Sequence, residues 1–130
     1  MPSIADLANH ISALENQLNS IEMKTTLIDA QSGTPTAREL LGGCIRHNSK
    51  SGGGTLTLQT GTIISSCVPG VRIGSWFDCL YVNYGNQTVT ITGATGSTIV
   101  GTAAVTTAKN CLMRFVCSGT NTWYVYLVWG

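Results

Sequence analysis

Charge is scarce in this sequence. Only 10% of its 130 residues are Asp, Glu, Lys or Arg, against about 25% in an ordinary soluble protein. Seven basic and six acidic side chains leave a net charge of +1. There is no cationic field to hold a phosphate backbone, so nucleic acid is not an expected partner. No apolar run reaches the roughly 18 residues that a bilayer crossing needs, so membrane insertion is not expected either. The opening stretch, MPSIADLANHISALENQ, lacks the basic start and unbroken apolar core of a secretory signal, and synthesis in a cytoplasm is expected.

Histidine is scarce too, with His10 and His47 the only two. Nucleophilic hydrolysis needs a nucleophile, a base and a group that orients it. His47 lies in Arg46-His47-Asn48-Ser49-Lys50, which reads as a polar strand end and predicts an exposed loop histidine. Cys67 or Cys79 with His47 is the one nucleophile and base combination on offer. The acids Asp6, Glu15, Glu22, Asp29, Glu39 and Asp78 show neither a carboxylate pair for glycoside hydrolysis nor an oxygen-rich loop for calcium. Ser51-Gly52-Gly53-Gly54 is followed by Thr55 rather than Lys, so it is a loop and not a phosphate cradle. The expectation is a protein that is not an enzyme and carries no cofactor or metal.

The five cysteines, Cys44, Cys67, Cys79, Cys111 and Cys117, are an odd number with no C-x-x-C pair. They read mainly as small buried hydrophobes rather than a disulfide framework or a zinc site. Cys111 and Cys117 fall in one apparent strand, about 20 Å apart at ~3.3 Å per residue, and cannot bond each other while it is straight.

What the chain does have is a clear heptad and a series of short β patterns. Ile4, Leu7, Ile11, Leu14, Leu18 and Ile21 alternate spacings of three and four, the seam of a coiled coil. Ser3 with Asp6 suggests a cap at its start, and Gly33 and Pro35 end any helical continuation. Residues 1–24 are therefore expected to be an oligomerisation helix, 25–36 a linker and 37–130 a β head. Ile at a with Leu at d favours dimers, but the last heptad reverses the order, so dimer and trimer both remain open.

Beyond the linker, Gly42-Gly43 before Cys44-Ile45 points to an early strand. Further β patterns follow at 55–59, 62–65, 75–83, 87–92, 97–100, 110–117 and 122–129, separated by Gly, Asn and Ser turns. Seven or eight short strands at hairpin spacing predict a mainly β fold of the β-sandwich or jelly-roll kind. In the last strand Trp123, Val125, Leu127 and Trp129 alternate with Tyr124, Tyr126 and Val128. Both faces are apolar, which predicts a contact between subunits, assigned here to Trp123, Val125, Leu127 and Trp129. Trp76, Asp78 and Tyr84 are the candidate ligand contacts, since rings beside a carboxylate suit a sugar. A soluble carbohydrate-binding module is the alternative reading on that basis.

A short coiled coil, a polar linker and a Thr/Gly-rich β head together resemble the trimeric fibre, spike and decoration proteins of viruses and phages. Within the head, SWFDCLYVNYG leading into QTVTITGATGSTIVGT and then CLMRFVCSGTNTWYVYLV is similar to a repeated virion-protein pattern. The resemblance implies a homotrimeric jelly-roll head on the virion surface, held to the capsid or another virion protein. Its role would be to cement the particle or to bind a host-surface glycan or receptor.

Overall fold

Lys24–Ile28 forms strand β1, in the stretch KTTLI whose β-branched residues favour extended backbone. This computed structural model describes Ile4, Ala8, residues 24–50 and residues 52–129. Ile4 and Ala8 are helical, and Ile4 is exposed. The remaining heptad positions Leu7, Ile11, Leu14, Leu18 and Ile21, and with them the expected coiled coil, lie outside the described residues.

Residues 25–36 do not serve only as a linker. β1 pairs in parallel with β2, Gly43–His47, through five registered positions, and so belongs to the head. Between them stands helix α1, Ala37–Leu41, ahead of the early strand expected at Cys44-Ile45, which is β2. The signal of α1 is a capping box. Thr36 Oγ1 accepts from the Glu39 amide at 3.2 Å, and the Glu39 carboxylate accepts from the Thr36 amide at 2.9 Å. β3 spans Gly54–Thr57. The expected strand at 62–65 is instead helix α2, Gly61–Cys67, whose first turn is capped by Thr60. Gly61 opens it because the backbone carbonyls of Asn121 and Gly96 press against its Cα, leaving no room for a Cβ.

The remaining strands are β4 Trp76–Asn83, β5 Val89–Thr92, β6 Ser97–Val100, β7 Ala104–Val105, β8 Lys109–Gly119 and β9 Thr122–Trp129. The fold is mainly β. One sheet has six strands in the order β1-β2-β4-β8-β9-β6, and a second has three in the order β3-β5-β7. Four of the seven pairs run parallel: β1 with β2, β2 with β4, β3 with β5, and β6 with β9. The expected succession of hairpins is thus largely absent. Jelly rolls and sandwiches pair antiparallel, whereas here most neighbours in a sheet are distant in sequence and joined by crossovers. β8–β9 is the adjacent hairpin, turning at Thr120-Asn121 with Asn121 at φ 53°.

The inner faces of both sheets and the two helices close over one core. Leu40 and Ile64 come from the helices, and Leu56, Val89, Ile91 and Val105 from the small sheet. Ile45, Tyr81, Met113, Phe115, Trp123 and Val125 come from the large one. Phe77 stacks on Phe115 at 4.5 Å and meets Trp123 edge to face at 5.7 Å, and the Trp123 indole donates to Ser65 Oγ at 2.9 Å.

Candidate functional site

The two sheets differ in what they turn outward. On the small sheet the outer residues are Thr55, Thr57, Thr90, Thr92 and Ala104, with Thr55 opposite Thr90 and Thr57 opposite Thr92. Small hydroxyl side chains of this kind suit a solvated face. The outward register of the large sheet runs in four rows: Leu27, Arg46, Val82 and Asn110; then Thr25, Cys44, Leu80, Leu112 and Val128, Cys44 itself being buried; then Asp78, Arg114, Tyr126 and Val100; then Trp76, Val116, Tyr124 and Thr98. Trp76 is 59% exposed and Val128 51%, while Leu27, exposed on β1, registers with Arg46 rather than with the apolar rows. Exposed apolar side chains gathered on one sheet face are a mark of an interaction surface.

Charge enters this face at Arg46 on β2 and at one ion pair between β4 and β8. Arg114 Nε donates to Asp78 Oδ1 at 2.8 Å and Nη2 to Oδ2 at 2.9 Å, the two-pronged geometry that makes such pairs strong. The guanidinium carbon also lies 4.5 Å from the centroid of the Trp76 ring. The hydrogen bonds from Arg114, aided by its charge, hold the Asp78 carboxyl below the usual carboxylate range.

The three candidate ligand contacts therefore do not form one sugar site. Trp76 and Asp78 both engage Arg114, one ring face of Trp76 being covered by it. Tyr84 lies beyond the other end of β4, about 26 Å along the strand, with Arg46 4.6 Å from its ring centroid. The predicted subunit contacts Trp123, Val125 and Leu127 point into the chain's own core. Trp129 ends β9. Alternation showed two apolar faces on β9 but not which turned inward. Trp123, Val125 and Leu127 form the inward set, and the Trp123 N–H donates to Ser65 Oγ. The outward set is Tyr124, Tyr126 and Val128, and Arg114, Leu80 and Leu112 join it only through the register of β4, β8 and β9.

His47 is fully buried rather than exposed in a loop. Its Nε2 donates to the Ala30 carbonyl at 2.7 Å, and its Nδ1 is 2.7 Å from the Tyr81 hydroxyl. Both nitrogens are taken, so it is not placed as a base toward Cys67 or Cys79. Burial pushes the Cys79 thiol up to about 12, with Cys44 nearby adding to the effect. All five cysteines are free thiols, Cys67 half-buried and the others buried. Two hollows of about 310 and 500 Å³ flank the loop that carries Arg72 and Ile73. Among the described residues no group of three His, Cys, Asp or Glu side chains is placed to hold a metal, and no helix is long and apolar enough to cross a membrane.

Comparison with known proteins finds no matching family model, no matching curated protein and no matching solved structure.

Proposed function

We propose that this chain is a non-enzymatic, self-assembling head of a virion surface, whose copies meet through the outer face of the six-stranded sheet. The observation that carries the reading is the contrast between the two sheets. The small one is surfaced with threonine, while the large one sets leucine, valine, tyrosine and tryptophan in registered rows on either side of the Asp78–Arg114 pair, with Arg46 and Asn110 in the row toward β1. Burying that face against other copies removes the apolar area from water, the main drive to association.

The heptad at Ile4 to Ile21 supports the same assembly from the sequence side, and trimers are the expected form. The resemblance to fibre, spike and decoration proteins supports a place on a particle, as a capsid cement or as a head that binds a host glycan or receptor.

Light scattering on the full chain tests the assembly. A mass three times the 13.7 kDa of one chain is expected, stable to dilution. A monomer would overturn the reading and leave a solitary ligand-binding module in its place.

A further inference from the structure

Resting on that reading, we infer that the Asp78–Arg114 pair fixes the register in which copies of this chain pack on the outer sheet face. The pair sits between two largely apolar rows of that face. Leu80, Leu112 and Val128 flank it on one side and Val116 and Tyr124 on the other, while Tyr126 continues its own row. An all-apolar face attracts without direction, so two such faces can slide or rotate against each other at little cost. A polar group enclosed by an apolar interface penalises every arrangement that leaves it unpaired, which is how single polar residues set register and stoichiometry in coiled coils.

The geometry equips the pair for that place. Both carboxylate oxygens of Asp78 are engaged by the one guanidinium, at 2.8 and 2.9 Å, and Trp76 covers a face of that guanidinium. The pair can be enclosed without stranding a bare charge. It still offers the remaining donors of Arg114 and lone pairs of Asp78 to a neighbour.

A second copy is the occupant, for two reasons. The anion and cation balance, so the centre of the face carries no net charge to repel another copy. The heptad also ends at Ile21, three residues before Lys24 opens β1, an edge strand of this same sheet. A segment that gathers copies is thus joined directly to the surface on which they would meet.

The test compares the full chain with three variants by light scattering and native mass spectrometry, with far-UV circular dichroism confirming the fold. Arg114→Leu strands Asp78 and is expected to weaken self-association by roughly a hundredfold. Asp78→Leu with Arg114→Leu should associate at least as tightly as the natural chain but spread over several stoichiometries. Asp78→Arg with Arg114→Asp should restore one discrete mass. The inference is overturned if the double-leucine variant forms the same single species as the natural chain, or if folded Arg114→Leu associates undiminished. A natural chain that is itself monomeric removes the proposed function before any variant is compared, so the two failures are distinguishable.

Discussion

The ring of His47 is tied to the carbonyl oxygen of Ala30, 17 residues earlier, by a 2.7 Å hydrogen bond within the polar part of the core. The segment after β1 is thereby a structural part of the head. Gly33 extends the tie, exchanging backbone hydrogen bonds with Thr55 and Thr57 at 3.0 Å. A chain beginning at Lys24 is expected to keep the head's cooperative urea unfolding. One beginning at Ala37 loses β1, the Thr36 cap and the acceptor of a buried histidine. Its stability should fall by at least about 3 kcal/mol, and equal unfolding midpoints for the two would contradict this role for residues 24–36.

Asn83 is completely buried and uses both ends of its amide. Its oxygen accepts from Ser49 Oγ at 2.9 Å and the Gly85 amide at 3.2 Å, and its nitrogen donates to the carbonyls of Gln87 at 2.7 Å and Val105 at 3.0 Å. Asn83→Leu keeps the volume and orphans those partners, at about 1–3 kcal/mol for each group left unpaired. A loss of about 2–4 kcal/mol is expected from urea titration, and a loss under about 0.5 kcal/mol, the level of an ordinary surface substitution, would show that the network contributes little.

The buried thiols give the head an alkaline weakness. An unfolded cysteine ionises near 9, whereas burial holds Cys79 protonated to about 12 and Cys111 to about 11. Between these values the unfolded chain has released protons that the folded chain retains, so raising the pH favours unfolding. Cys79 alone contributes a slope of about 1.4 kcal/mol per pH unit. Stability measured from pH 9 to 11 should fall steadily, and Cys79→Ala should flatten the decline. A slope that the substitution leaves unchanged would place its cause elsewhere.

Neighbouring positions on β9 should respond in opposite ways to the same change. Val128→Lys adds charge to the outer face, where Val128 is 51% exposed. It should disperse the oligomer while shifting the stability of the single chain by no more than about 0.5 kcal/mol. Val125→Lys puts an unpaired ammonium into the core and should prevent folding. Mass and circular dichroism separate the two, and an unaltered mass for Val128→Lys would remove the outer face from the assembly.

The strands were legible in the sequence wherever β-branched and aromatic residues alternate, and β6 and β9 match their expected limits. The pairing was not. Gly and Asn turns at short intervals suggest hairpins, yet nothing in Ser97–Val100 or Val89–Thr92 records that each lies parallel to a strand far from it along the chain. Thr62 to Ser65 reads as one of the short β patterns. The Thr60 cap and the crossing of Gly61 over Asn121 and Gly96 make it helical. At the candidate site the sequence offers Asp78 beside Trp76 as a ligand contact, but Arg114, which engages both, stands 36 positions from Asp78 and joins them only when β4 and β8 align.

The position of β9 inside its sheet has a consequence for how the chain matures. It is the last of these nine strands to be synthesised, yet it is inserted between β8 and β6, and it supplies Trp123 and Val125 to the core. Until it emerges from the ribosome, β6 has no partner and the layer between the sheets has a hole where the indole belongs. Sheets built on distant parallel neighbours also fold slowly. The head can therefore acquire its native form only once the chain has been made through Trp129, and a copy that stops short of it lacks the part of the outer face that β9 supplies.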